Sequence, residues 1–307
     1  MYFGTYLSLV LTTFFWGATF IAGRSLAGAV PPATAAFFRF TIASAALLIL
    51  CRLIDGRLTV PPPRLWFSLF LLGLTGVFSY NICFFTGLHY IEAGRASLII
   101  ALNPLAITLF ASLLLKEPLA PRQFIGVIVS LIGALFVISN GHPSVIYNGD
   151  FGKGELAILG CVASWATYSL VGRSVLKTMT PLSAVFYSSV IGSLLLLLPA
   201  LREGSLIEAV NYSTLTIGNL AFLGLCGTAI GFSLYYQAIR KIGATRSGVF
   251  INLVPFFAII LSWLILGESI KPVVLSGGVL VLAGVTLTNM PTRKNTAIAP
   301  QQLSSRQ

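Results

Sequence analysis

The residues best suited to bind a small molecule lie inside long apolar runs. Ser8, Thr12, Trp16, Thr19 and Gly23, spaced four, four, three and four apart, share one helix face. Cys161, Trp165, Tyr168 and Gly172 form a similar stripe later in the chain, and Tyr80, Asn81, Phe84, Phe85, Phe232, Tyr235 and Tyr236 add rings and one amide. An indole or phenol stacks on a ligand ring while its N–H or O–H meets a polar group. Trp16, Thr19, Tyr80, Asn81, Phe84, Trp165, Tyr168 and Tyr235 are therefore candidate substrate contacts. A packing seam of small residues with aromatic filler would produce the same stripes, although occurrence in two copies favours binding for Trp16 and Trp165.

Asn103 and Asn252 stand beside Pro104 and Pro255. A proline within a helix frees the carbonyl four residues earlier, here Ile100 and Ile251, and a free carbonyl beside an amide suits an ammonium group. Gly23, Pro104, Gly172 and Pro255 are the hinge candidates. A kink re-satisfied by neighbouring helices is the plainer alternative.

Arg39 is the one charge well inside an apolar run, where Arg costs about 2.5–3.5 kcal/mol at a helix centre. Snorkelling, recognition of a carboxylate and gating all remain open to it. The eight acids lie in loops or at run ends. Proton-coupled carriers use a membrane-embedded carboxylate, so this distribution favours downhill movement. Two ion pairs across the membrane ends, Glu117 with Arg246 and Arg95 with Glu268, are candidate gates or simply solvated interface charges.

Catalytic and metal chemistry find no support. The four cysteines, Cys51, Cys83, Cys161 and Cys226, form no C-x-x-C, and there are only two histidines. Ser174-Val175-Leu176-Lys177 fits S-x-x-K without its companion motifs, and no phosphate-binding loop or catalytic acid pair occurs. No cofactor is implied. The chain has 307 residues, 56% hydrophobic and 9% charged, with a mean hydropathy of +0.92. That excludes a soluble globular domain and makes the lipid bilayer the solvent. The net charge of +11 is dispersed along the chain, which argues against nucleic acid.

Apolar runs predict helices at 5–23, 33–51, 65–89, 95–115, 122–139, 155–175, 181–200, 213–238, 245–266 and 272–290. The Gly- and Asn-rich stretch 140–154 reads as a linker between units 1–139 and 155–290, and 291–307 as a disordered tail. Ala27-Gly28-Ala29 resembles a signal-peptide cleavage site, but no basic region precedes the first run. With the amino terminus inside, alternate loops assign thirteen Lys and Arg to the cytoplasmic side and five, Arg24, Arg95, Lys153, Arg202 and Lys271, to the other. The positive-inside rule then puts both termini in the cytoplasm.

Sliding the chain on itself shows a duplication. At an offset of 149, Trp16-x6-Gly23-Arg24-Ser25 falls on Trp165-x6-Gly172-Arg173-Ser174, and Pro32 on Pro181. At 151, Leu72-Gly73-Leu74-x-Gly76 meets Leu223-Gly224-Leu225-x-Gly227, and Pro104, Glu117 and Gly133 meet Pro255, Glu268 and Gly284. A unit of five crossings must enter the membrane upside down when copied. The expected fold is thus an all-α integral membrane protein of ten transmembrane helices in two inverted five-helix repeats, an arrangement used by secondary transporters.

Trp16-Gly17-Ala18-Thr19-Phe20, Arg39-Phe40, Gly87-Leu88, Ala93-Gly94-x-Ala96-Ser97, Pro104 and Leu115-Lys116-Glu117 resemble the EamA unit of the drug/metabolite transporter superfamily. The resemblance spans nearly all of 5–288 and is greatest to bacterial exporters of aromatic amino acids. It implies a bacterial inner-membrane protein with helices around a central cavity. Ser188 replaces Arg39 in the second unit, so any role of that arginine is single. The resulting expectation is a non-enzymatic, alternating-access exporter of small metabolites, amino acids with aromatic or bulky apolar side chains first. A broad drug exporter is the alternative, and a membrane-embedded enzyme or scaffold a remote one. Phosphorylated sugars would need paired cations in the cavity. The sequence carries no signal for oligomeric state.

Overall fold

In hydrocarbon a backbone must satisfy its own N–H and C=O groups, so apolar runs of this length form helices. A computed structural model describes residues 3–115, 120–140, 142, 144, 152–242, 247–248 and 250–289, and among them there is no strand. Among the described residues, eight helices are long and apolar enough to cross a membrane: α1 (Phe3–Leu26), α2 (Pro32–Ile54), α3 (Pro63–Tyr90), α4 (Ala93–Leu113), α5 (Pro121–Ile138), α6 (Lys153–Val175), α7 (Pro181–Glu203) and α8 (Thr214–Ile242). Two shorter apolar helices, α9 (Phe250–Leu266) and α10 (Pro272–Thr288), complete two sets of five. Most of 140–154, all of 291–307, and Glu117 and Arg246 lie outside the described residues.

Local chemistry sets the helix starts. Pro32, Pro121 and Pro181 open α2, α5 and α7, at a position where the missing N–H costs nothing. Ser213 caps α8 by accepting from Thr216 N at 3.1 Å. After α2 and α7 the chain turns through Gly56 and Gly204, at φ of +74° and +75°, a region that glycine enters without steric cost.

The two copies are antiparallel. Arg24, near the end of α1, donates to the carbonyls of Leu88 and His89 at the end of α3, at 2.5 and 2.9 Å. Arg95, at the start of α4, pairs with Glu155 at the start of α6 at 2.7 Å. So α6 begins at the membrane end where α1 finishes. Each helix packs on elements of the other copy: α2 on α7, α5 on α10, α1 on α8 and α9, and α6 on α3 and α4.

Two features depart from the expected helices. The fourth span breaks into Ala93–Ile100 and Asn103–Leu115, and Pro104 occupies the first turn of the second piece. Pro255 likewise lies near the start of Leu253–Leu261, behind a short 3-10 turn at Phe250–Asn252. Both prolines therefore start helices, and the expected mid-helix kink is replaced by a break, because a first-turn proline forfeits no hydrogen bond. In addition, α3 and α8 become π-helical at Gly73–Ser79 and Leu225–Ile230, corresponding places in the duplication.

At the α5–α10 contact backbone meets backbone through glycines. A methyl on Gly133 would lie 2.6 Å from the Gly277 carbonyl oxygen, and one on Gly277 2.8 Å from that of Gly133. Such contacts hold helices together by van der Waals packing where lipid removes the hydrophobic drive. Gly133→Ala should destabilise the protein by about 1–3 kcal/mol, the usual cost of overpacking. Thermal unfolding in detergent checks this against Gly218→Ala, where nothing lies within 4 Å.

Candidate functional site

Arg39 organises the middle of the bundle. On α2, two turns from Pro32, its residue is 8% exposed. It does not snorkel. Nε donates to Thr228 Oγ1 at 3.2 Å and Nη1 to Asn81 Oδ1 at 3.1 Å. Both acceptors are tied to π-helical segments: Thr228 lies within the second and donates to Leu223 O in the α-helical turn before it at 3.0 Å, and Asn81 Nδ2 donates to Val77 O inside the first at 2.8 Å. The guanidinium thus ties α2 to α3 of its own copy and to α8 of the other. Its carbon also lies 5.3 Å from the Phe40 ring and 5.9 Å from the Phe84 ring, within cation–π range. Among the described residues no carboxylate stands at ion-pair distance from it. These contacts solvate the charge without neutralising it.

Rings lead away from this cation in a ladder. Phe84 stacks on Tyr80 at 6.0 Å and 15°, Tyr80 meets Trp165 at 5.6 Å, and Trp165 stacks on Tyr168 at 5.2 Å and 27°. The ladder joins α3 of one copy to α6 of the other. Its counterpart places Trp16 of α1 at 5.5 Å from Phe232 and 5.3 Å from Tyr235 of α8. Trp16 Nε1 donates to Gly227 O at 3.1 Å, inside the second π-helical segment. A π turn lets a carbonyl accept a side chain, and such turns concentrate at functional sites.

The structure thus gathers Arg39, Tyr80, Asn81, Phe84, Trp165 and Tyr168 in one network, and Trp16 and Tyr235 in another. Several groups are already engaged. Phe84 is 2% exposed and Asn81 1%, and Thr19 Oγ1 bonds to Trp16 O at 2.6 Å. Asn103 Oδ1 is buried without a partner, whereas Asn252 Nδ2 reaches Thr286 Oγ1 at 3.4 Å. Gly23 and Gly172 lie within unbroken helices. Gly23 admits the Leu88 and Phe84 side chains to within 3.0 Å of where a methyl would stand.

The expected gate pair of Arg95 with Glu268 is corrected. Arg95 pairs with Glu155 and donates to the Val137 carbonyl at 2.9 Å and to Ile138 O. Glu268 pairs with Arg24 at 3.4 Å and accepts from Ala93 N at 2.9 Å and from the Ser262 hydroxyl. Four charges converge on one membrane end, and helix register decides which meet. Repeat offsets cannot reveal that choice. Sequence reasoning also passed over Thr228, whose position inside an apolar run was the available signal.

Comparison with known proteins completes the picture. The chain is 32% identical over 280 residues to the uncharacterized transporter YyaM of Bacillus subtilis (strain 168), covering 91% of this chain and 92% of that protein. It is 30% identical over 300 residues to a probable terminal-alkyne amino-acid exporter of Streptantibioticus cattleyicolor, covering 95% and 96%. A solved crystal structure matches with a TM-score of 0.63 and 22% identity over 94% of this chain and 98% of that one, which supports the fold alone. The description EamA-like transporter family matches residues 4–139 and 152–290, one segment per five-helix copy. With relatives named as transporters and two copies matched, this chain belongs to the EamA-like transporter family and is a multi-pass membrane transporter of small molecules, not an enzyme.

Proposed function

We propose that the protein exports amino acids with aromatic or bulky apolar side chains across a bacterial inner membrane, by alternating access and down their gradient. The observation that carries this reading is Arg39, a buried cation with no acid partner among the described residues, at the head of an aromatic ladder. In this reading Arg39, held by Asn81 and Thr228, takes the substrate carboxylate. Tyr80, Trp165 and Tyr168, with Trp16 and Tyr235 opposite, take the side chain, and the unpartnered Asn103 Oδ1 accepts from the ammonium. Both termini lie in the cytoplasm, as the skew of Lys and Arg favours. The relative named as a probable amino-acid exporter supports the same substrate class.

Binding to purified protein tests the assignment. An aromatic amino acid should bind roughly ten- to a hundredfold more tightly than its decarboxylated amine, the worth of a charge-assisted hydrogen bond of about 1.5–3 kcal/mol. Arg39→Met should erase the preference while the protein still melts cooperatively. Equal binding of acid and amine by the unaltered protein would turn the reading towards a broad exporter of apolar compounds.

The described acids all sit at helix ends or in connecting segments: Asp55, Glu92, Glu155, Glu203, Glu208 and Glu268. None is placed to carry a proton through the middle of the membrane. Vesicles holding purified protein should equilibrate substrate at the same final level with or without a proton gradient. Accumulation above the outside concentration, driven by that gradient, would refute downhill transport.

A further inference from the structure

Glu203, the last residue of α7, reaches across to the other copy. Its Oε1 accepts from Ala33 N at 3.0 Å, and its Oε2 from Thr34 N and the Thr34 hydroxyl, both at 2.8 Å. A carboxylate on first-turn N–H groups gains charge-assisted bonds and the favourable end of the helix dipole. It thereby fixes the start of α2, two turns from Arg39.

The duplication supplies its counterpart. Pro32-Ala33-Thr34 corresponds to Pro181-Leu182-Ser183 at the offset of 149, and one residue off that offset Glu203-Gly204 stands against Asp55-Gly56, each an acid at a helix end followed by a glycine of positive φ. Asp55, however, does not cap α7. Its side chain is 4% exposed, with Oδ1 held at 2.9 Å by a half-exposed Arg240 and Oδ2 buried without a partner. The first turn of α7 is held by hydroxyls instead: Ser183 N donates to Thr180 Oγ1 at 3.3 Å, and Ser183 Oγ accepts from Thr59 N at 3.1 Å. One acid is saturated by three donors while its twin keeps a bare buried oxygen.

We propose that Glu203 and Asp55 are positioning residues that act in turn: Glu203 clamps α2 in the state seen here, and Asp55 clamps the start of α7 in the opposite state. When the transporter turns over, Glu203 releases Ala33 and Thr34 at one membrane end. Asp55 leaves Arg240 and caps Leu182 and Ser183 at the other. Arg240 holds the second clamp in reserve. This inference rests on the alternating-access reading above.

Spin-label distances measured in lipid test it. On a background lacking the four cysteines, Ser25→Cys with Lys271→Cys reports the Glu203 end, and Arg57→Cys with Lys177→Cys the Asp55 end. Glu203→Gln should at least double the long-distance fraction at the Glu203 end, and Asp55→Asn should at least halve it. Arg240→Gln separates a clamp from a simple ion pair: by freeing Asp55 it should shift the distances as Glu203→Gln does, opposite to Asp55→Asn. Asp55→Asn and Arg240→Gln shifting alike, or Glu203→Gln shifting nothing, would overturn the proposal while exchange in the unaltered protein stands. One fixed distance at each end of the unaltered protein, with and without an aromatic amino acid, would instead defeat alternating access, and the clamp with it.

Discussion

A single buried guanidinium imposes most of the order in the centre of this bundle. An arginine at a helix centre costs about 2.5–3.5 kcal/mol, an upper figure for Arg39 two turns inside α2, and two hydrogen bonds to a charged group return about 1.5–3 kcal/mol each. Those bonds require Asn81 and Thr228 to face α2; Asn81 is tied to Val77 O inside the first π-helical turn, and Thr228 lies within the second. The π turns therefore do two jobs. They offer carbonyls to side chains, and they aim the residues that solvate the charge. Trp16, bound to Gly227 O, uses the same device.

Duplication makes the departure from symmetry informative. Ser188 stands where a second Arg39 would be, and its hydroxyl bonds to Val185 O within its own helix at 3.0 Å. Only one copy thus supplies a cation, while both supply a tryptophan at the opposing third span. A ligand held between the copies would meet aromatic surface from either side and positive charge from one, which suits an amphipathic anion or zwitterion better than a uniformly apolar compound.

The architecture was largely legible in the sequence because the signals for it are long and repeated. Twenty-residue apolar runs report helices directly, and an odd number of crossings per copy dictates inversion without any structure. Aromatic residues at matched offsets also emerged as neighbours across the copies, as with Trp16 and Tyr235. Pairings between ends were not legible. Glu268 meeting Arg24, or Glu155 meeting Arg95, depends on rotations and slides of a few ångströms that leave the apolar pattern unchanged. The π turns were hidden for a similar reason: one extra residue in a turn hardly disturbs hydropathy. Pro104 was misplaced because a proline's effect depends on whether a helix precedes it or begins at it.

Contact chemistry divides the bundle into parts that resist motion and parts that permit it. Between α5 and α10 the backbones touch through glycines, and sliding would drive methylene groups into carbonyls. At the membrane ends the copies are joined by carboxylates on N–H groups and guanidinia, polar contacts that can be exchanged for others without driving atoms into one another. The ends differ in their cations. Arg52, Arg57, Arg64, Arg173, Lys177, Arg240 and Lys241 crowd the Asp55 end, while Arg24, Arg95, Lys153, Arg202 and Lys271 occupy the Glu203 end. At the crowded end Asp55 holds Arg240; at the sparser end Glu203 settles on backbone N–H groups. A duplicated protein in a membrane with two unlike faces cannot keep its copies equivalent, and here the inequality falls on the residues that fasten one copy to the other.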